Sequence, residues 1–201
     1  MGLIEIVPHD PAWAGMFERE AARLQQALGG LARRIEHVGS TAVIGLAAKP
    51  VIDIQVCVAS LQPMSLPGRP KGECRSAQHA GAPMNPLTEA LSTLGYHFVA
   101  LGEIDLVYPF FQKPAAWPST HHVHLCVEGG EHERRHLAFR DHLRRHADVA
   151  ADYAVLKRRL AAQHDGRTLE SRERYSLAKT AFVNAVLALA LRAPARLHRQ
   201  P

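Results

Sequence analysis

The segment from His37 to Val56 concentrates residues that can handle phosphate and metal. It reads His37-Val38-Gly39-Ser40-Thr41-Ala42-Val43-Ile44-Gly45-Leu46-Ala47-Ala48-Lys49-Pro50, then Val51-Ile52-Asp53-Ile54-Gln55-Val56. A strand that ends in Gly39-Ser40 and turns into a short helical segment exposes backbone N–H groups and a hydroxyl, with no Cβ in the way at the glycine. Such turns bind phosphate. Gly39, Ser40 and Thr41 are therefore candidate phosphate ligands, with Lys49 to neutralise charge. Asp53 follows on an otherwise apolar strand, where an isolated carboxylate needs a partner. A divalent cation is one; pairing with Lys49 or a nearby arginine is the other.

Further polar groups could join this centre. Strand residues two apart share a face, so His122 and His124 point the same way. If their strand lies beside that of Asp53, all three converge, as metal ligands or proton carriers; the alternative is hydrogen-bonded sheet histidines. Tyr153 and Lys157, like Tyr175 and Lys179, stand four apart on one helix face, where a lysine beside an aromatic ring can present a cation to phosphate or base. Packing with lysine snorkelling explains the same spacing. Lys157, Tyr175 and Lys179, together with His37 and Gln55 beside the turn and the acid, are the candidate nucleotide contacts.

One match is a coincidence. His132-Glu133-Arg134-Arg135-His136 fits the H-E-x-x-H zinc-protease pattern, and His142 falls at the spacing of a third ligand. That ligand arrives only when a glycine three residues after the second histidine breaks the helix, and Phe139 stands there. The charged flanks also ill suit a buried active-site helix, so the protease reading is set aside.

The elements that must position these residues follow from caps and periodicity. Asp10-Pro11 and Gly29-Gly30 bracket a helix over residues 11–28. Strands are expected at 33–38, 51–58, 96–101, 105–112 and 121–127, the third and fourth forming a hairpin around 102–104. Asn85-Pro86 and Gly95 bracket a helix over 86–94. Residues 131–163 read as helix broken near 146–148, and 169–191 as one final long helix. Residues 62–84 carry turn composition without periodicity and read as an irregular insertion; the basic tail 192–201 is expected to be disordered.

Composition limits the rest. A chain of 201 residues, 47% apolar and 21% charged, suits one globular domain, expected over 1–191. No apolar run spans a bilayer and the N-terminus lacks signal-peptide character, so a cytoplasmic protein is expected. Cys57 and Cys126 sit in apolar strands, and with Cys74 they suggest neither a disulfide framework nor a zinc knuckle. The net charge of +5 gathers at Arg134, Arg135, Arg140, Arg144, Arg145, Lys157, Arg158 and Arg159, either a phosphate-attracting face or the solvated side of helices.

The His37-to-Gln55 run resembles the GrpB family, whose pattern is His-Val-Gly-Ser-Thr-Ala-Val-Pro-Gly-Leu followed by Lys-Pro and an Asp-bearing strand. The resemblance continues in Ile6-Val7-Pro8 through Trp13, Thr120-His121-His122-Val123-His124, Arg135 through Asp141, Tyr153 through Lys157 and Tyr175 through Phe182, covering almost the whole chain outside 62–84. It implies an α+β, nucleotidyltransferase-like fold: a mixed β-sheet flanked by helices, with further helices at the C-terminus. Gly39 and Ser40 would hold nucleotide phosphates, and Asp53 would carry a metal. Family members also resemble a domain fused to dephospho-CoA kinase in some bacteria.

Two positions depart from the pattern. Ile44 replaces the usual proline, and Gln55 stands where nucleotidyltransferases place a second carboxylate, with Glu36, Glu103 and Asp105 the nearest acids to fill that gap. The function expected is transfer of a nucleotidyl or phosphoryl group from a Mg²⁺-bound nucleoside triphosphate to a small acceptor. The alternative is a nucleotide- or phosphate-binding module without turnover. Neither a membrane nor a nucleic acid is an expected partner, since the basic helices lack interleaved exposed aromatics.

Overall fold

The computed structural model describes residues 4–61, 85–101, 104 and 107–192. The insertion expected at 62–84, the tail from 193 onward, and the acids Glu103 and Asp105 lie outside them.

The element order is α1 (Ala12–Leu28), β1 (Ala32–Val38), β2 (Ile52–Val58), α2 (Pro86–Thr93), β3 (His97–Val99), β4 (Phe110–Lys113), β5 (His121–Val127), α3 (Glu131–Arg145), α4 (Ala147–Gln163), α5 (Leu169–Leu177) and α6 (Thr180–Ala190). Local chemistry sets several boundaries. Asp10 Oδ1 accepts the Ala12 N–H and Asn85 Oδ1 the Leu87 N–H, each at 2.8 Å, satisfying donors that a helix start leaves open.

The strands form one mixed sheet in the order β1-β2-β5-β4-β3. β2 runs antiparallel to β1 and parallel to β5, with Asp53 opposite His122 and Gln55 opposite His124. With helices on both faces this is the expected α+β class. Alternation along β2 and β5 divides the sheet chemically. Ile52, Ile54, Val56, Val58, Val123 and Leu125 line one face and pack with Trp13, Leu24 and Leu28 of α1 and Leu87 and Leu91 of α2, each fully buried aliphatic contributing about 1.5–3 kcal/mol. The other face carries Asp53, Gln55, Cys57, His122, His124 and Cys126, and α3 packs against β1 and β5.

Two expected elements differ. The long final helix is two: Ala178 and Lys179 interrupt it, so α5 seats Tyr175 with Ile4 and Leu160 while α6 packs on α3. Of the strand expected at 105–112, residues 105 and 106 lie outside the described residues and β4 begins only at Phe110, because Val107 and Tyr108 both donate to the Ile104 carbonyl. β3 and β4 still pair antiparallel. Among the described residues no helix is long and apolar enough to cross a membrane.

Candidate functional site

Because β5 lies beside β2, Asp53, His122 and His124 converge. His122 Nδ1 is 3.0 Å and His124 Nε2 3.7 Å from Asp53 Oδ1, and one ligand atom from each residue lies within 4.8 Å of the others. Burial alone would raise the Asp53 carboxyl; hydrogen bonding and charge from His122 and His124 outweigh it and hold the group well below the usual carboxylate range. Burial lowers His122, against the pull of Asp53, so at neutral pH an ionised carboxylate faces a neutral imidazole. A carboxylate oxygen and two imidazole nitrogens suit a divalent cation in number and spacing.

The Gly39-Ser40 turn closes over this acid. Gly39 has φ 69° and ψ −167°, a region essentially restricted to glycine, and a Cβ there would run into the Asp53 carboxylate. Ser40 opens the 3-10 turn Ser40–Ala42. Thr41 and His37 are placed otherwise than expected of ligand contacts. The Thr41 hydroxyl donates to the Val51 carbonyl at 3.1 Å and meets His37 Nε2 at 3.0 Å, while the His37 ring stacks on Phe17. Both are buried and brace the turn from within. Burial, opposed by Asp53, brings His37 from 6.5 to about 4.

Lysines supply the positive side. Lys49 Nζ lies 5.4 Å from the ring centroids of both Trp117 and Tyr175, and Lys179 Nζ 4.4 Å from that of Tyr175. Burial lowers both ammonium groups, Lys179 to about 7, while the Asp53 charge favours their protonation. Two partly desolvated cations near one carboxylate attract anionic ligands. Tyr175 itself is 1% exposed with lysines over its ring, so it offers no open stacking face. Lys157 is buried too, donating to the Ala47 carbonyl; it props the turn instead of meeting a ligand.

Gln55 is fully buried, which rules out direct contact with a ligand at the surface. Glu36 does not replace the missing carboxylate, because Arg140 Nη1 pairs with it at 2.8 Å. The arginine run is mixed: Arg134, Arg145, Arg158 and Arg159 are exposed, but Arg140 donates to the His37 carbonyl at 3.0 Å and Arg144 to the Ala42 carbonyl at 3.0 and 2.8 Å. Both arginines clamp the turn.

Sequence reasoning missed Tyr108, Trp117 and Arg172. Tyr108 stacks between His124 and His132 and bonds His136 at 2.9 Å. Trp117 has Lys49 on one count and Arg172 Cζ, 4.8 Å away, on another. No local pattern marks these residues, since their partners come from distant segments. The same contacts dispose of the protease motif: His132 and His136 pack on Tyr108, and Glu133 accepts from the Gly129 N–H and pairs with Arg34 at 3.1 Å.

The family model described as GrpB protein matches residues 3–67 and 78–189. UPF0157 protein YqkA of Bacillus subtilis is 34% identical over 80% of this chain and 40% of its own length. A protein of Mycolicibacterium paratuberculosis named Dephospho-CoA kinase is 32% identical over 81% of this chain and 41% of its own length. The chain thus spans well under half of both relatives. The crystal structure of conserved protein GrpB from Enterococcus faecalis aligns with a TM-score of 0.71 at 31% identity, covering 93% of this chain and 97% of that one.

Proposed function

The chain belongs to the GrpB family, and on that premise we propose that it binds a nucleoside triphosphate with a divalent cation and transfers a nucleotidyl or phosphoryl group to a small acceptor. The observation that carries this reading is the Asp53 carboxylate, opposite His122 and packed against Gly39, so that acid and phosphate turn form one centre. The name Dephospho-CoA kinase on a relative supports nucleotide-related chemistry.

Each residue has a task in this reading. Gly39 lets the turn close on the Asp53 carboxylate, and Ser40 offers a hydroxyl beside it. Lys49 and Lys179 balance phosphate charge. His122 and His124, both beside Asp53, would complete the metal centre or carry the proton of an acceptor hydroxyl. A divalent cation bound at Asp53 would neutralise charge on the transferring group. Such catalysis is mostly positioning and charge stabilisation. Mg²⁺ would take its oxygens from Asp53 and from the phosphates.

A second reading, a nucleotide-binding module without turnover, is favoured by Gln55: the position of a second carboxylate holds a neutral, fully buried amide. Calorimetry and thermal shift with nucleoside triphosphates, with and without divalent cations, test both. A ligand at 100 times its Kd stabilises the fold by about 2.7 kcal/mol. Wild type should respond and Asp53→Asn should not, with the fold intact. Binding without consumption of triphosphate would select the module, and no response to any nucleotide would overturn both.

A further inference from the structure

We infer that Asp53, His122 and His124 hold a first-row transition-metal ion in preference to Mg²⁺, with Gln55 as the positioning residue for His124; this rests on the metal centre in the reading above and specifies its ion. The donor set carries the first part. Two of the three ligand atoms are imidazole nitrogens. Imidazole suits zinc, iron, nickel and copper, whereas Mg²⁺ demands oxygen donors in near-ideal octahedral array. Metal–ligand bonds of about 2.0–2.2 Å put neighbouring ligands roughly 3.0–3.5 Å apart. His122 Nδ1 and His124 Nε2 stand 3.0 and 3.7 Å from Asp53 Oδ1, so shifts of a few tenths of an ångström would seat one ion. Two imidazoles and one carboxylate also leave coordination positions open for ligand oxygens.

The second part comes from two orphaned atoms. Gln55 Oε1 and His124 Nδ1 are both buried without a hydrogen-bond partner. Gln55 and His124 are register partners on adjacent parallel strands. The pairs on either side of them on the same face touch: Asp53 with His122 at 3.0 Å, and Cys57 with Cys126 at 3.7 Å. The amide and the imidazole therefore stand side by side. They are not bonded to each other as they stand; an amide oxygen accepts and a protonated Nδ1 donates, so a small turn of the Gln55 amide would let one hydrogen bond satisfy both atoms. That bond would fix the tautomer with the Nε2 lone pair towards Asp53. Tyr108 and Phe110 hold the ring plane, with centroids at 5.1 and 5.0 Å. A ligating histidine usually donates its other ring N–H in this way, and losing the partner costs about 10–100-fold in metal affinity. Gln55 is then the acceptor that an imidazole-ligated centre requires at a position where an all-oxygen centre would place a carboxylate.

The test uses the full chain after chelator treatment, with Co²⁺ as the spectroscopic probe. We expect visible absorption from nitrogen- and oxygen-ligated Co²⁺, persisting against at least a hundredfold excess of Mg²⁺. His122→Ala and His124→Ala should each weaken Co²⁺ at least tenfold. Gln55→Leu should weaken it about tenfold with the folded circular dichroism spectrum retained, and Gln55→Glu, which keeps an acceptor oxygen, should restore it. Displacement of Co²⁺ by equimolar Mg²⁺, or absence of any Co²⁺ spectrum in the wild type, overturns the ion assignment. Unweakened Co²⁺ binding in folded Gln55→Leu overturns the role of Gln55. Nucleotide binding supported by Mg²⁺ alone would sink this inference and leave the proposed function. Tight Co²⁺ with no response to any nucleotide would do the reverse.

Discussion

Replacing Gly39 and Gly45 by alanine, one at a time, separates the strain of an unusual backbone from the closeness of the turn to Asp53. Both glycines have positive φ, 69° and 81°. At Gly45 an added Cβ meets nothing within 4 Å, so Gly45→Ala should cost only the backbone term, about 1–2 kcal/mol. At Gly39 the Cβ would fall 2.9 Å from Asp53 Cβ and 3.0 Å from Cγ, and nearer still to Oδ2. Backbone strain of about 1–3 kcal/mol then adds to an overpacking term of about 1–3 kcal/mol, centring near 4. At 2–4 °C per kcal/mol for a chain of this size, Tm should fall by roughly 8–16 °C in Gly39→Ala against roughly 3–6 °C in Gly45→Ala. Differential scanning fluorimetry with and without nucleoside triphosphate and divalent cation reads both effects. Gly39→Ala should also lose the ligand-induced shift, because the carboxylate must move, whereas Gly45→Ala keeps it. Equal falls in Tm with the ligand shift intact in both variants would refute the contact between turn and acid.

Glu133→Ala should cost about 1–2 kcal/mol in urea unfolding, since it removes the acceptor of the Gly129 N–H and one partner of the half-exposed Arg34; zinc lost from a variant of unchanged stability would revive the protease reading. Arg144→Ala deletes the hydrogen bonds to the Ala42 carbonyl, with an expected cost of about 1 kcal/mol and weaker nucleotide binding by calorimetry, both absent if the arginine merely faces solvent. For His37 the folded pKa of about 4 lies below the ordinary 6.5, so the unfolded chain takes the proton first. Its contribution is complete above pH 6.5, is lost as pH falls towards 4, and amounts to about 3 kcal/mol. Urea midpoints between pH 7.5 and 4.5 should fall less steeply in His37→Gln than in wild type, and parallel slopes would contradict this.

Much of the frame was legible because its signals are local. Asp10-Pro11 and Asn85-Pro86 announced helix starts that their side chains cap. The break between α3 and α4 falls at His146, inside the interval read from pattern. Alternation along β2 and β5 told which side chains share a face, and so named Asp53, His122 and His124 together on the condition that the strands were neighbours. That condition belongs to the topology, and the parallel pairing of β2 with β5 meets it.

What the residues could not disclose is which polar groups spend themselves on other protein groups. His37, Thr41 and Lys157 have the composition of ligand contacts, yet their polar atoms are bound to Thr41, Val51 and Ala47. Arg140 and Arg144 look like solvated helix charge, yet they close on carbonyls of the turn. The interruption at Ala178 and Lys179 has no glycine or proline to mark it, because it comes from α5 and α6 packing against different partners. Sequence by itself determined the chemical inventory, the faces of the strands and the turn that glycine alone can make, since these depend on neighbours within a few residues. Only the tertiary structure decided which of those groups stay free to meet a ligand, because the bonds of Lys157, Arg140 and Arg144 reach more than 100 residues along the chain, and the His37–Thr41 contact forms only once the turn is folded against Val51.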